Sequence, residues 1–276
     1  MRAAKVTMIV QAVIDILQRF VVTCILLFLI LPMIAITIGS FGDSWFGTIL
    51  PSGYTVRWYQ ELLSPGIYRD ALIRSLIIAF IAVVLSAAIA VPTVYAVYFS
   101  ESERLKRVFD YVLVIPIAIP PLVIAIGTLQ SFDTAWFGPN GAWYLIVAGH
   151  LVLTLPFMLS SVMVNMESID YQRMEEAADS LGASGYHKTV KILLPNLVPG
   201  IISGSLMVFA RSLSEYEFSL FLSTFQMRTF PVILYEAFQR ETGFTSAATA
   251  VIIYATMLSI LGLMLLSERR GWKPQL

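Results

Sequence analysis

Long uncharged apolar runs alternate with short polar intervals along almost the whole chain. A helix needs about 20 apolar residues to cross a bilayer. Six stretches meet that length: 20–38, 71–98, 108–129, 142–164, a fifth beginning near Pro195, and 244–266. The pattern predicts an all-α, polytopic membrane protein with six transmembrane helices. Between the spans, 39–70 reads as a polar loop with Trp45, Trp58 and Tyr59 at an interface, 131–141 as a turn-rich loop and 221–243 as a polar loop. Residues 1–19 place Val6, Val10, Val13, Ile14 and Leu17 at helical spacing. That segment either lies along the cytoplasmic membrane surface or extends the first span. The organisation expected is an amino-terminal segment, 1–19, and one six-helix membrane domain, 20–276.

The longest polar interval of the second half, 167–195, has a local logic of its own. Ala177 and Ala178 favour helix, and Glu175, Glu176 and Asp179 put negative charge in its early turns. Gly182 stands where a left-handed residue would end that helix. Ser184 suits the cap of a second short helix over 186–193, and Pro195 suits the first turn of the next one. A helix, a sharp turn and a helix outside the membrane are predicted.

Composition agrees with the bilayer reading. The 276 residues are 58% hydrophobic and 13% charged, with mean hydropathy +0.79, against about a quarter charged in soluble domains. Net charge is +0 and no basic block alternates with aromatics, so nucleic acid is not an expected partner. The single Cys24 excludes an intrachain disulfide. The first apolar run is too long for a cleaved leader and lacks a good cleavage site, so an uncleaved first span is expected. Lys and Arg collect near the amino terminus, in 100–107, in 167–195 and at the carboxyl end. The positive-inside rule makes those segments, and both termini, cytoplasmic.

Few residues inside the spans carry chemistry. Pro116, Pro120 and Pro121 in the third span remove helix hydrogen bonds, giving either a packing kink or a broken helix beside a pathway. The fifth span ends in ARSLSEYEFSLFLS, with Arg211, Glu215 and Glu217 at membrane depth. Ionisable groups there default to a functional reading. Arg211 and Glu215, four apart, can neutralise one another on one face, whereas Glu217 has no obvious local partner. The expected solute path is Arg211, Glu215, Tyr216 and Glu217. His150 reads as a hydrogen-bonded core histidine. No metal site, no nucleophile–base motif and no ATP-binding G-x-x-x-x-G-K-[ST] occur, so an enzyme is not expected.

The stretch EAADSLGASGYHKTVKILLP, 176–195, resembles the EAA loop of permease subunits of binding-protein-dependent ABC importers. Glu176, Ala177, Ala178, Gly182, Ile192, Leu194 and Pro195 occupy its fixed positions. The third-span prolines and TFPVILYEAF (229–238) extend the likeness to about 70–270. The fifth span is similar to an SLGEFGAT-type stretch at Ser212, Leu213, Glu215 and Tyr216, with Glu217-Phe218 in place of Gly-Ala. Within the type I importer permeases the chain looks most like the second permease of spermidine/putrescine importers. The loop SFGDSWFGTILPSGYTVRWYQELL adds to that impression. Permeases for 2-aminoethylphosphonate or ferric iron are similar as well.

The resemblance implies a solute pathway shared with a second, related but non-identical permease in a bacterial inner membrane. It also implies two ABC ATPase subunits that hold the ATP and Mg, no cofactor being bound by this chain. A periplasmic or extracellular solute-binding protein would deliver solute at 39–70 and 221–243. The coupling residues implied are the motif positions together with neighbouring Glu175. A secondary transporter would show paired inverted halves, and the sequence has none.

Overall fold

The computed structural model describes residues 2–45, 48–132, 143–169, 171–224, 227–238 and 245–251. They fall into two units, Met1–Leu62 with Ala237–Val251, and Leu63–Glu236.

In the first unit, α1 runs unbroken from Arg2–Ser40, 39 residues. At 1.5 Å per residue it is about 58 Å long, roughly twice a hydrocarbon core. Of the two arrangements open for 1–19, the backbone adopts the extension of the first span. From Phe20 to Leu31 its large side chains, Phe20, Phe28 and Leu31 among them, are exposed on every side, as suits a helix in an apolar medium. The loop after α1 is more ordered than its composition indicated. Gly42 and Tyr54 form an isolated antiparallel bridge, and a short helix, α2 (Arg57–Leu63), occupies its end. Trp58 is buried rather than interfacial, its indole N–H donating to the Gly42 carbonyl at 2.7 Å. The Tyr59 hydroxyl donates to Ser40 Oγ at 2.7 Å. These two bonds close the loop onto the end of α1. Residues 245–251 are helical; the rest of the expected sixth span lies outside the described residues, as does most of 131–141.

In the second unit, α3 (Ile67–Tyr98), α6 (Trp143–Ser168) and α9 (Leu194–Leu213) pack mutually. In lipid, helices gain little from hydrophobicity and associate by close packing of small residues. The buried face of α3 accordingly carries Ala79, Ala82, Ser86 and Ala90. On α9, a Cβ at Gly204 would meet Met158 Sδ at 2.6 Å, and one at Gly200 would meet Asn165 Cβ at 2.6 Å. The Ser161 hydroxyl, on α6, donates to the Gly200 carbonyl at 2.9 Å.

The third span is broken rather than kinked. It comprises α4 (Glu103–Ala118) and α5 (Pro121–Phe132), bent by 98°. Ile119, preceding Pro120, is extended, as a residue before proline prefers. Pro121 then starts α5, where its missing N–H costs nothing. Among the described residues, four helices are long and apolar enough to cross a membrane, and the bent pair makes up to five.

The reading of 221–243 as a loop is corrected. After α9 the chain forms α10 (Glu217–Leu222) and α11 (Phe230–Phe238). Phe230, Val232 and Ile233 are buried, so this segment is apolar on its inner side. Ser75 Oγ accepts from the Phe230 N–H at 2.8 Å, and the Arg74 guanidinium donates to the Arg228 carbonyl at 2.6 Å, tying the segment to α3.

Candidate functional site

The polar interval lies at the end of the unit where α3 and α6 finish and α9 begins. A helix, α7 (Tyr171–Ser180), starts it. Tyr171 is buried there, its ring 5.5 Å from Phe99. Burial, and then the Glu175 carboxylate, push the Tyr171 hydroxyl up to about 12. The helix ends as the sequence predicts. Gly182 has φ +73°, its N–H bonds the Asp179 carbonyl at 2.9 Å, and the Ala183 N–H reaches back to Ala178 at 3.0 Å. Those two bonds define a Schellman turn, whose left-handed residue is cheapest as glycine.

Ser184 caps the next helix, its Oγ accepting from the His187 N–H at 3.4 Å. That helix differs from the short, separate one predicted. One turn of α8 (Gly185–His187) passes into a π-helical turn, Lys188–Leu193, and directly into α9. The physical reason is Pro195. It has no N–H for the carbonyl four residues back, and the wider turn makes room for its ring. The loop is therefore continuous with a membrane span.

The expected coupling residues separate by exposure. Glu176, Ala177, Gly182, Leu194 and Pro195 are exposed, whereas Ala178 is buried and Ile192 half-buried. Glu175 is turned inward, onto Lys188 Nζ at 2.9 Å. Leu181 and Tyr186 were not anticipated. They are 88% and 73% exposed, so with Glu176 the loop turns two apolar side chains and one charge outward. Their signal in the sequence was an apolar residue beside a glycine at the end of one helix, Gly182, and at the start of the next, Gly185.

At the opposite end of the unit, α9 stops at Leu213 and α10 starts at Glu217. This break corrects the proposed pairing of Arg211 with Glu215. Glu215 lies beyond the helix end, so four-residue spacing no longer brings the two together. Its carboxylate turns inward instead. Oε1 accepts from the Phe218 N–H at 2.7 Å, and Oε2 from the Ser219 N–H at 2.9 Å and hydroxyl at 2.7 Å. Because Ser219 gives its only proton to Glu215, it accepts from His150 Nε2 at 2.9 Å, and Ser212 Oγ lies 2.7 Å from His150 Nδ1. This buried ring joins α6, α9 and α10. A Cβ at Gly149 would run into the Phe218 ring, so α10 also packs hard against α6. His150 is the core histidine its surroundings predicted; Ser219 was missed, because only a chain reversal brings it near.

Arg211 and Glu217 are exposed, and Tyr216 is half-buried with its ring 5.1 Å from that of Tyr235. Glu236 nearby pairs with Arg228 at 2.6 Å. Among the described residues no group of three or more His, Cys, Asp or Glu could hold a metal ion.

Comparisons with known proteins converge on this architecture. A family model described as "Binding-protein-dependent transport system inner membrane component" matches residues 82–272. The spermidine/putrescine transport system permease protein PotC of Haemophilus influenzae is 30% identical over 87% of this chain and 91% of its own. A putative 2-aminoethylphosphonate transport system permease protein, PhnV of Salmonella paratyphi A, is 28% identical over 90% of this chain and 92% of its own. A chain of a bacterial alginate ABC transporter crystallised with an alginate-bound periplasmic protein shares the fold, with TM-score 0.68 at 16% identity over 92% of this chain and 94% of that one. The chain belongs to the binding-protein-dependent transport system inner membrane component family, the permease subunits of ABC importers.

Proposed function

We propose that this permease imports a polyamine, and that its 176–195 loop receives the work of ATP hydrolysis. The observation carrying the coupling role is the exposure of Glu176, Leu181 and Tyr186 on a loop continuous with α9. An exposed helix with apolar anchors fits a groove in a partner, and Glu176 offers a charge-assisted contact to a basic residue there. Two cytoplasmic ATPases would hold the ATP and Mg. A second, related permease would complete the pathway, and an external solute-binding protein would deliver solute. The sixth span at 244–266, the amino-terminal segment 1–19 and the 20–276 membrane domain complete the proposed organisation. The loop is assigned to the cytoplasm because Arg104, Lys106, Arg107, Arg173, Lys188 and Lys191 lie in 167–195 and in the 100–107 connector, and both termini because Arg2, Lys5, Arg19, Arg269, Arg270 and Lys273 lie near them in the sequence.

The polyamine reading rests on an exposed carboxylate, Glu217, beside the Tyr216–Tyr235 pair. Carboxylates and aromatic faces suit ammonium groups, and the PotC relative is named for such a solute. Glu215, with both oxygens engaged internally, positions α10 rather than contacting solute. A phosphonate is the second reading, favoured by exposed Arg211 and by the PhnV relative.

The test is ATPase stimulation of the reconstituted transporter, with its own binding protein, by spermidine, putrescine, 2-aminoethylphosphonate and ferric ion in turn. Stimulation by a polyamine alone is expected; stimulation by the phosphonate or by iron alone overturns the polyamine reading. In the same system Glu217→Gln is expected to raise the KM for a polyamine about tenfold, one lost charge contact being worth about 1.4 kcal/mol. Thermal stability should not change, and an unaltered KM would remove Glu217 from the path.

A further inference from the structure

We propose that Lys188 is a positioning residue that clamps α7 to the base of α9, so that displacement of the coupling helix is transmitted into the membrane rather than absorbed at the Gly182 turn. This rests on the coupling role of the loop and adds the element that makes the loop stiff.

Two parts of the loop bear on stiffness in opposite ways. The turn between α7 and α8 is held by backbone hydrogen bonds. No side chain covers Gly182, since a Cβ there would find nothing within 4 Å. Such a turn reverses the chain but resists bending poorly. Across it, Lys188 makes the side-chain link. Its Nζ lies 2.9 Å from Glu175 Oε1 and 3.0 Å from Asp179 Oδ1. Glu175 and Asp179 stand one turn apart on α7, so a single ammonium grips two points of that helix and fixes its angle as well as its distance.

The position of Lys188 is what turns this grip into a lever. It is the first residue of the π-helical turn, Lys188–Leu193, which runs without a break into α9. Leu193, at the end of that turn, is buried in the core beside Leu197 and Tyr171. A push on Glu176, Leu181 or Tyr186 therefore passes through α7 and Lys188 to α9, and along α9 to the Glu215 and Glu217 end. The Lys188 and Glu175 side chains are each less than one-fifth exposed, so the pair lies against the loop rather than reaching freely into solvent. It also explains why Glu175 faces inward while Glu176 faces out.

The test uses the whole transporter in proteoliposomes, recording solute imported per ATP hydrolysed alongside the ATPase rate. Coupling between distant sites is typically worth about 5–150-fold. Lys188→Gln is expected to lower the import-to-hydrolysis ratio about fivefold or more while the ATPase subunits still co-purify. The charge-exchanged variant Glu175→Lys with Lys188→Glu, carrying Asp179→Asn so that no two carboxylates meet at that 3.0 Å contact, restores an ion pair across the same gap and is expected to recover the ratio. An unchanged ratio in Lys188→Gln overturns the proposal. Failure of the exchanged pair to recover the ratio also overturns it, because the defect would then not arise from loss of the ion pair. A wild-type transporter with no ATP-driven import would instead refute the coupling role itself, which separates the two failures.

Discussion

Glu176→Lys is expected to abolish coupled import while leaving the chain inserted and folded. The Glu176 carboxylate is exposed, and the Ser180 hydroxyl bonds the Glu176 backbone carbonyl, at 2.9 Å, rather than its side chain. Replacing a surface side chain of that kind changes stability by about ±0.5 kcal/mol. The same replacement sets two like charges together in the proposed ATPase groove, a juxtaposition that costs several kcal/mol. Import should therefore fall by a hundredfold or so, about 2.7 kcal/mol, with the amount of chain in the membrane unchanged. Gly182→Pro should give the same phenotype through geometry. Proline fixes φ near −65°, and this turn needs +73°. The readouts are ATP-driven uptake and membrane-fraction blots. Full uptake in both variants would remove the coupling assignment.

Glu215→Leu is expected to have the largest effect on stability. The carboxylate satisfies three donors, the Phe218 and Ser219 N–H groups and the Ser219 hydroxyl. Each buried donor left unsatisfied costs about 1–3 kcal/mol, and a membrane interior supplies little water in exchange. The loss should total at least about 3 kcal/mol, enough to unfold a marginal protein or prevent its accumulation. Glu215→Gln keeps one acceptor oxygen and should be milder. Thermal unfolding in detergent checks the order wild type, Gln, Leu. Equal melting of wild type and Glu215→Leu would show that the buried ring does not hold α10.

How far the sequence carried depends on whether the cause was local. The Schellman turn at Gly182, the Ser184 cap and the helix break before Pro121 all follow from single residue types whose backbone preferences act within one turn. Four of the six expected spans, or five with the bent pair, were equally plain among the described residues, because apolar length is a local quantity. What remained illegible depended on chain reversals. Arg211 and Glu215 satisfy the helical pairing rule on paper, but α9 ends between them and the carboxylate meets Phe218, Ser219 and His150 instead. The 221–243 interval reads as polar because Thr224, Arg228, Glu236, Gln239, Arg240 and Glu241 interrupt its apolar residues; α11 buries Phe230, Val232, Ile233 and Ala237 among them. Lys188 looked like one more cytoplasmic cation until the turn carried it back onto Glu175 and Asp179.

The central claim is that an ATPase grips the exposed side chains of the 176–195 loop. Its most direct measurement is purification of the tagged chain from its own membranes in mild detergent, with ATP hydrolysis recorded on the eluate, for wild type and for Leu181→Asp with Tyr186→Asp. Both side chains are exposed, so the double variant should fold. Wild type should elute with an ATPase and hydrolyse ATP, whereas the double variant should elute as an equally monodisperse chain without it. A double variant that keeps its ATPase, or a wild-type chain that moves solute in liposomes with no ATPase present, would contradict the account.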